Sequence, residues 1–575
     1  MRGVTYKTVE HLPESEVARR RADLEKKTGK WQARSLAAAF DHAAATYPDR
    51  PYILAETGSS TYAEVQAQSL DIAAGLVAAG VASGDRVALL VDNRPEYAAI
   101  KFAIARVAAI AVPLNYSYKA DEIAERLAQS GASVVITIDS SVATDFLDVF
   151  DTLVPGWESG ATSEDLPELR RVILVDNSAR PTALDLGSLT SDEEDFAEVE
   201  ARTAVIDPDS VCDIVFTSGT TGHAIGAELT HDMVLRSAYG SAYHRAFDDG
   251  WRISFALPLY HVFGYIEGML AALFVGGAIA PLRIFNPKTV LTVIQDFAIN
   301  EVLFVPTMTV AVVDLAVKES FDLSSLQSVF SAAAPAPVWL WERVLSDLKP
   351  VMVFTGYGQT EVSAATALTL PGDEIETVAG VVGTTKLGGA AATEHPDGRL
   401  AEYRTVDPFT GAPLPAGETG ELSVRGPQVT RGYYRNPERT AEALDAEGWL
   451  RTGDLGRVNE QGYLELGGRS SELFKVGGEL VAPVEVERVL TSIEGVSQAF
   501  VAGIPDELYG DIGWAWVVPA EGVELDPRAI LAHCRQHLAA FKVPRGITVL
   551  AASELPTTTT GKVQKYLLVQ AHAGD

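Results

Sequence analysis

Residues 216–226 of this 575-residue chain read Phe216-Thr217-Ser218-Gly219-Thr220-Thr221-Gly222-His223-Ala224-Ile225-Gly226. The loop follows an apolar run, residues 211–216, which predicts a buried strand. Its glycines allow a tight turn that directs successive backbone N–H groups at an anion, and its hydroxyl side chains add donors without adding charge. The combination predicts a site for the phosphates of a triphosphate. The plainer alternative is a glycine-rich turn between a strand and a helix.

One feature of a phosphate-binding loop is absent from this stretch. Such loops usually contribute a lysine as a point charge on the outer phosphates, and Ile225 stands where that lysine is expected. A bound nucleotide therefore has to be held by other local charges and by a metal ion. A protonated His223 is an alternative source of part of the missing charge.

The overall charge restricts the partners of the chain. It carries 46 Lys and Arg against 77 Asp and Glu, a formal net charge of -31. We expect such an acidic surface to exclude non-specific nucleic-acid binding and docking on anionic membranes.

Cysteine content and hydropathy indicate a cytoplasmic protein. Cys212 and Cys534 lie far apart in sequence, which predicts neither a disulfide framework nor a zinc site. No apolar segment of the kind found in signal peptides follows the basic residues near the N-terminus. The most apolar stretch, residues 266–282, contains Glu267 and two adjacent glycines, and it predicts a buried helix-turn-strand rather than a membrane span.

The order of elements predicts an α/β fold with layered, mainly parallel sheets flanked by helices. Apolar runs typical of strands alternate with amphipathic helical patterns over the first 400 residues or so. The predicted strands are 86–91, 109–113, 134–138, 172–175 and 211–216, with a helix at 96–108.

Two changes of composition divide the rest of the chain. Glycine and proline become frequent near Pro408, which predicts a small antiparallel subdomain with a strand at residues 421–425. The composition changes a second time at residues 467–471, which read Gly-Gly-Arg-Ser-Ser. Beyond it we expect an α+β module with a strand pair around residues 477–478 and helices that begin at Pro483 and Pro527.

Four further segments carry residues suited to nucleotide chemistry. In residues 353–361, Tyr357 could stack on a base and Glu361 could bind Mg²⁺. Residues 449–454 end in Asp454, which could accept from sugar hydroxyls, although an Asp after Gly also forms simple turns. Arg469 adds a fixed cation. Residues 556–562 form a hydroxyl-rich loop that ends in Lys562.

Together these motifs resemble the AMP-forming adenylate-forming superfamily, which includes acyl- and aryl-CoA ligases, adenylation domains of peptide synthetases and luciferases. The resemblance covers residues 35–565 and at least six ordered motifs. Among them are residues 257–264, 420–427 and 432–438. It implies an N-terminal AMP-binding domain over residues 1–468, a hinge at 469–471 and a mobile C-terminal domain over 472–575.

The resemblance also implies a role for each matching residue. The nucleotide would be bound by Thr217, Ser218, Gly219, Thr220, Thr221, Gly222, Ala333, Ala334, Tyr357, Gly358, Gln359, Thr360, Asp454 and Arg469. Glu361 and Thr217 would bind Mg²⁺. Lys562 would bridge the substrate carboxylate and the α-phosphate, and Lys475 would serve the second step after the C-terminal domain rotates. His261 would lie between the acyl pocket and the pantetheine tunnel, with a buried structural histidine as the alternative.

Three positions depart from the pattern of the superfamily. Its phosphate loop normally reads Gly-x-Pro-Lys-Gly, and residues 222–226 lack both the proline and the lysine. A charge-assisted hydrogen bond contributes about 1.5–3 kcal/mol, so we expect ATP use to be weakened about ten- to a few-hundredfold. Ser471 replaces a charged hinge residue, and Ala332 replaces a glycine, which would favour a flat aryl or short acyl group.

The function predicted from the sequence is ATP- and Mg²⁺-dependent activation of a carboxylic acid as an adenylate, followed by transfer to a thiol, with CoA as the expected acceptor. Two alternatives stay open. The enzyme could use another acid or acceptor, such as an amine, or activate nitrite. The chain could also be a nucleotide-binding pseudoenzyme, as the missing lysine suggests. A homodimer is left open.

Overall fold

A computed structural model of the protein describes residues 11–217, 224–392, 397–469, 472–477, 479–506, 508–520, 522–557 and 563–574. Its α-helices are α1 (Glu14–Thr28), α2 (Leu36–Thr46), α3 (Tyr62–Ala78), α4 (Tyr97–Arg106), α5 (Ala120–Ser130), α6 (Phe146–Leu153), α7 (Glu193–Ala204), α8 (His231–His244), α9 (Ala271–Leu273), α10 (Pro287–Phe297), α11 (Pro306–Ala316), α12 (Val338–Arg343), α13 (Ile375–Gly380), α14 (Pro437–Ala443), α15 (Pro483–Thr491), α16 (Pro527–His537) and α17 (Lys565–Gly574). Two π-helices span Phe263–Leu270 and Val344–Leu348.

The strands are β1 (Pro51–Ile53), β2 (Ser60–Thr61), β3 (Arg86–Leu90), β4 (Ile110–Pro113), β5 (Val134–Thr137), β6 (Arg171–Leu174), β7 (Val211–Thr217), β8 (Ile225–Thr230), β9 (Arg252–Phe255), β10 (Ala278–Pro281), β11 (Glu301–Phe304), β12 (Ser328–Ser331), β13 (Met352–Phe354), β14 (Gly356–Gln359), β15 (Ala364–Leu368), β16 (Thr384–Thr385), β17 (Glu402–Val406), β18 (Gly420–Arg425), β19 (Leu450–Val458), β20 (Leu464–Arg469), β21 (Phe474–Val476), β22 (Glu479–Val481), β23 (Val496–Asp506), β24 (Gly510–Pro519) and β25 (Gly546–Val549).

The chain forms two compact units. The first comprises Met1–Glu402 and Arg425–Gly448, and the second comprises Tyr403–Val424 and Trp449–Asp575. Within the described part of the chain, no helix is both long and apolar enough to cross a bilayer.

A six-stranded sheet in the first unit carries the strand that leads to the phosphate loop. Its order is β6-β5-β3-β4-β7-β8, and every pair is parallel except β7 with β8. Its parallel strands are apolar along most of their length because helices cover both faces of such sheets. Cys212 on β7 is 2% exposed, in agreement with the buried strand predicted at residues 211–216.

A seven-stranded sheet, ordered β13-β12-β11-β9-β10-β1-β2, forms the other large layer of the first unit. The strands from β13 to β1 are all parallel to their neighbours, so their carboxyl ends lie along one edge. Ligands of parallel α/β sheets bind outside this edge. A three-stranded antiparallel sheet, β14-β15-β16, follows directly after β13.

The second unit contains the later antiparallel elements. Nearly all of the four-stranded sheet β17-β18-β19-β20 belongs to it, as does the sheet formed by β21 to β25. Phe474, Val486, Val501 and Ile530 belong to the core that packs α15 and α16 against the latter sheet.

The fold class predicted from the sequence is confirmed, with shifts of one or two residues at element ends. The predicted helix at 96–108 spans Tyr97–Arg106, and the predicted strand at 421–425 spans Gly420–Arg425. Proline occupies the first turn of α15 and α16, as expected from its fixed φ. The domain boundaries at residues 468 and 472 stay predictions.

Candidate active site

The phosphate loop connects two antiparallel strands. Thr217 at the end of β7 pairs with Ile225 at the start of β8, and the Thr217 hydroxyl donates to the Ile225 carbonyl at 3.4 Å. The plainer alternative of a strand-to-helix turn is therefore wrong. The predicted phosphate ligands Ser218, Gly219, Thr220, Thr221 and Gly222, together with His223, lie outside the described residues.

Arg126 brings a positive charge to the base of this loop. Its side chain is buried on α5, and one guanidinium nitrogen donates to the carbonyl of Ala224 at 3.0 Å. The guanidinium carbon lies 5.4 Å from the centre of the Phe216 ring. Arg126 thus contacts residues on both sides of the loop. Sequence reasoning missed this residue because nothing in its helix marks it out.

Three predicted segments meet at the carboxyl edge of the seven-stranded sheet. Ala333 and Ala334 follow β12, residues 357–361 follow the neighbouring β13, and His261 follows β9. The ring of Phe263 packs edge to face against that of Phe330 at a centroid distance of 5.0 Å, which joins the His261 segment to the end of β12. The edge therefore gathers segments that are far apart in sequence.

Backbone conformation at this edge is unusual. Ala333 is exposed and adopts a φ of 72°, a left-handed conformation that costs a residue with a side chain about 1–3 kcal/mol. Gly358 permits a close backbone approach, since a Cβ at this position would lie 1.8 Å from the Ala364 carbonyl oxygen. Strain of this kind is concentrated at functional sites.

Tyr357 and Gln359 form one wall of the predicted base site. The Tyr357 ring is 8% exposed, and the Gln359 amide donates to its hydroxyl at 3.5 Å. Gly358 is exposed between them, and Thr360 is buried. The arrangement leaves backbone and side-chain polar groups beside a buried aromatic ring, which suits a heterocyclic base.

Glu361 is held by a segment that the sequence did not assign to the site. The Tyr433 hydroxyl donates to Glu361 Oε1 at 3.0 Å, and the Thr430 amide donates to the Glu361 carbonyl at 2.7 Å. Burial and the neighbouring Glu361 carboxylate raise the pKa of Tyr433 well above its usual range, so the phenol keeps its proton. The run of residues 432–438, part of the family resemblance, was the available signal.

Glu361 offers a carboxylate to a divalent cation. Among the residues that the structure describes, no group of three or more His, Cys, Asp or Glu side chains could hold a metal ion. Mg²⁺ in nucleotide enzymes usually takes one or two carboxylates and completes its octahedron with phosphate oxygens and water. The carboxylate of Glu361 fits that pattern.

His261 is half-buried and neutral. Loss of hydration lowers its pKa to about 4, and its Nδ1 accepts from the amide of Phe263 at 3.2 Å, so Nε2 carries the proton. The preceding residue, Tyr260, packs edge to face against Tyr116 with ring centroids 5.2 Å apart. A neutral imidazole between two aromatic sequence neighbours, Tyr260 and Phe263, suits the wall of an apolar pocket and does not provide a cation near pH 7.

In the second unit, the structure brings Asp454 and Arg469 together. They are partners across the ladder of β19 and β20, and Arg469 Nε lies 3.1 Å from Asp454 Oδ1. Asp454 is 7% exposed. The predicted sugar-binding carboxylate thus has a fixed cationic neighbour.

Of the two predicted lysines, one is described. Lys475 is exposed on β21, opposite Leu480 in the ladder with β22. Lys562 and the hinge residues Ser470 and Ser471 lie outside the described residues.

Two protein-family models match the chain, one in its N-terminal part and one in its C-terminal part. A model described as AMP-binding enzyme matches residues 40–434. A model described as AMP-binding enzyme C-terminal domain matches residues 485–562.

Relatives match over nearly the full length. A methyl-dioxo-octahydro-indenyl-propanoyl:CoA ligase of Mycobacterium tuberculosis is 33% identical, with 92% of this chain and 98% of that protein covered. A feruloyl-CoA synthase of an Amycolatopsis species is also 33% identical, with 88% and 92% covered. The crystal structure of ATP-bound MatB from Rhodopseudomonas palustris superposes with a TM-score of 0.76 at 25% identity, covering 93% of this chain and 99% of that one.

Proposed function

The chain belongs to the AMP-binding enzyme family, and from that membership we propose that it is an AMP-forming acid–thiol ligase. It activates a carboxylic acid with ATP, releases pyrophosphate, and transfers the acyl group from the adenylate to the thiol of coenzyme A with release of AMP. The observation that carries the proposal is the position of Glu361, which is held beside β8, the strand that begins at the phosphate loop.

The first step brings two anions together, so positively charged groups must neutralise them. A carboxylate oxygen attacks the α-phosphorus while the bond from that phosphorus to the pyrophosphate oxygen breaks. Residues 217–222 bind the phosphates. Lys562 neutralises the carboxylate and the α-phosphate as they approach, which lowers the cost of the charge that develops on the non-bridging oxygens.

Base and ribose are assigned to different groups of residues. Tyr357 stacks on the base, with Gly358, Gln359 and Thr360 beside it, and Ala333 and Ala334 line the same edge. Asp454 accepts from the ribose hydroxyls while Arg469 holds its carboxylate in place. These roles are supported by the ring, the carboxylate and the cation found at these positions.

Mg²⁺ is part of the proposal. Glu361 and Thr217 would hold it, and the ion would neutralise phosphate charge and polarise the α-phosphate. The single carboxylate of Glu361 and the hydroxyl of Thr217 are hard oxygen donors, which Mg²⁺ prefers.

The second step uses a different set of side chains. After a rotation at residues 469–471, Lys475 replaces Lys562 at the site, and the thiol attacks the acyl carbonyl with AMP as the leaving group. His261 separates the acyl pocket from the pantetheine tunnel. Its neutral ring admits the uncharged thiol without attracting the carboxylate.

The aromatic residues around His261 favour a ring-bearing acid. Tyr116 with Tyr260 and Phe263 with Phe330 form edge-to-face pairs on the two sides of the His261 segment, and such faces suit flat or cyclic acyl groups.

A cytoplasmic location is also proposed, supported by the two buried free cysteines. A homodimer is compatible with these features.

The test is product release with a panel of acids. The protein, ATP, Mg²⁺ and CoA are incubated with aliphatic, benzoic and cinnamic acids, and AMP, pyrophosphate and thioester are measured. We expect AMP and thioester in equal amounts, with ring-bearing acids preferred. ADP as product, or silence with every acid, would contradict the proposal. AMP release with nitrite and an aryl amine, without CoA, would show that the enzyme activates nitrite and uses an amine as the acceptor.

Two lysine variants divide the reaction into its steps. We expect Lys562→Ala to abolish acid-dependent exchange of pyrophosphate into ATP. Lys475→Ala should retain that exchange and lose thioester formation. Equal effects of both variants on both steps would argue against the exchange of side chains between steps.

A further inference from the structure

Residues 430–434 run along the free edge of β8 and pair with it through one isolated β-bridge. The amide of Glu228 donates to the Gly432 carbonyl at 3.0 Å, and the amide of Tyr434 donates to the Gly226 carbonyl at 2.8 Å. Ala227 and Tyr433 are paired in antiparallel register. Because β8 begins at Ile225, this segment is registered against the strand that leaves the phosphate loop.

The same segment holds Glu361 at two points. The Thr430 amide donates to the Glu361 carbonyl at 2.7 Å, and the Tyr433 hydroxyl donates to the Glu361 carboxylate at 3.0 Å. Glu361 and Tyr433 are each 8% exposed. A buried carboxylate that accepts from a donor at a fixed position has few orientations open to it.

Local hydrogen bonds hold residues 430–434 in place. The Thr430 hydroxyl donates to the Glu228 carbonyl at 2.7 Å and accepts from the Gly432 amide at 3.2 Å. The Thr440 hydroxyl on α14 accepts from the Tyr433 amide at 2.9 Å. The ring of Tyr433 therefore projects from a backbone that is fixed on both sides.

We propose that Tyr433 is a positioning residue, whose hydroxyl fixes the Glu361 carboxylate in the orientation that binds the divalent cation of the metal–nucleotide substrate. The inference rests on the proposed function. Partners that donate to a metal-binding carboxylate set its direction, and their loss typically lowers metal affinity ten- to a hundredfold. Here the backbone of Tyr433 is paired with β8, so the Glu361 carboxylate is oriented relative to the phosphate loop.

The experiment compares Tyr433→Phe with Tyr434→Phe. Tyr434 is the adjacent residue of the same segment, and its ring lies 5.1 Å from the Arg435 guanidinium. Binding of Mn²⁺ in the presence of α,β-methylene-ATP is measured by electron paramagnetic resonance, together with the Mg²⁺ dependence of AMP release. We expect about tenfold weaker Mn²⁺ binding for Tyr433→Phe and wild-type binding for Tyr434→Phe.

A second pair of variants separates positioning from a general loss of structure. If Tyr433 acts through Glu361, adding Tyr433→Phe to Glu361→Gln will change Mn²⁺ affinity less than about twofold. Equal Mn²⁺ binding by the two tyrosine variants, or a full tenfold loss in the Glu361→Gln background, would overturn the inference. If Tyr433→Phe does not fold, Tyr433→Met keeps most of the volume without the hydroxyl and is read in the same way.

Failure of the proposed function has a different signature. In that case the wild-type protein binds no Mn²⁺ with the nucleotide analogue and releases no AMP with any acid. Normal wild-type binding and turnover with an unaffected Tyr433→Phe variant would reject the positioning role alone.

Discussion

Arg469 and Asp454 face each other across the β19–β20 ladder, with Nε and Oδ1 3.1 Å apart. Asp454 is buried and Arg469 is half-buried, so the pair is shielded from water on one side. A carboxylate held in this way keeps its direction, which is what recognition of two ribose hydroxyls requires.

Replacing Asp454 by alanine removes this acceptor. A hydrogen bond to a charged group contributes about 1.5–3 kcal/mol, so we expect ATP affinity to fall about ten- to a hundredfold in calorimetric titrations. Arg457→Ala breaks an exposed ion pair with Glu465 on the same two strands and serves as the control, with unchanged affinity. Equal affinities for both variants would show that Asp454 does not contact the nucleotide.

The elements of the fold were largely predictable, but their grouping was not. Except for Thr137, the runs that form β3, β4 and β5 are apolar at every buried position, and such runs identify strands. They carry no information on which sheet a strand joins, so the separation into sheets of six and seven strands could not be derived. The π-helix Phe263–Leu270 has the same apolar pattern as an α-helix and was predicted only as helix.

Within the candidate site, residues in short motifs were predictable, but contacts between distant segments were not. Asp454 and Glu361 were identified because each follows a short motif in sequence. The bond between Tyr433 and Glu361 joins residues 72 positions apart, and it depends on pairing of residues 430–434 with β8. Arg126 lies on a helix about 100 residues before the loop that it contacts. Contacts of this kind are set by tertiary packing and leave no periodicity to detect.

Restoring a lysine at Ile225 tests the cost of the missing loop charge. Ile225 is half-buried at the first position of β8, so a long side chain has access to solvent at one end. We expect Ile225→Lys to raise kcat/KM for ATP about ten- to a few-hundredfold, the value of one charge-assisted bond. Ile225→Met provides length without charge and should leave kcat/KM unchanged. A gain with methionine would show that the added charge is not the cause. No gain with lysine would show that another cation already serves the phosphates.

A buried ion network stabilises the first unit. Lys386 is fully buried, and its ammonium donates to Ser237, to the Ser241 hydroxyl at 2.8 Å and to Glu267 Oε1 at 3.2 Å. Burial lowers its pKa to about 8, so it remains mostly charged at pH 7. Glu267 lies on the π-helix, and Arg245 is its other cationic neighbour.

Lys386→Met should therefore be strongly destabilising. It leaves Glu267 buried with only part of its compensation, and breaking such pairs costs about 3–5 kcal/mol. Urea denaturation measures this loss. Lys288→Met removes one partner of an exposed pair with Glu319 and should change stability by less than about 1 kcal/mol. A loss for Lys386→Met as small as that of the control would mean that Glu267 is solvated or protonated.

His231 links stability to pH. It is 2% exposed at the start of α8, and its Nδ1 accepts from the amide of Leu36 at 3.2 Å. Burial, reinforced by the charge of Lys101, lowers its pKa from 6.5 to about 3. Between these two pH values the unfolded chain binds a proton that the folded protein does not bind. The free energy of unfolding therefore falls as the pH decreases from 6.5 towards 3.

His231→Gln keeps an acceptor for the Leu36 amide and removes the titration. We expect it to reduce the decline of stability between pH 6.5 and 4.5 by about 1 kcal/mol per pH unit, the contribution of one proton, whatever its stability at pH 7. Urea denaturation at half-unit intervals of pH measures the slope. His42→Gln, an exposed position on α2, should retain the wild-type slope. If His231→Gln also retains it, the folded protein takes up the proton at His231, and the contact with Leu36 does not hold the ring neutral.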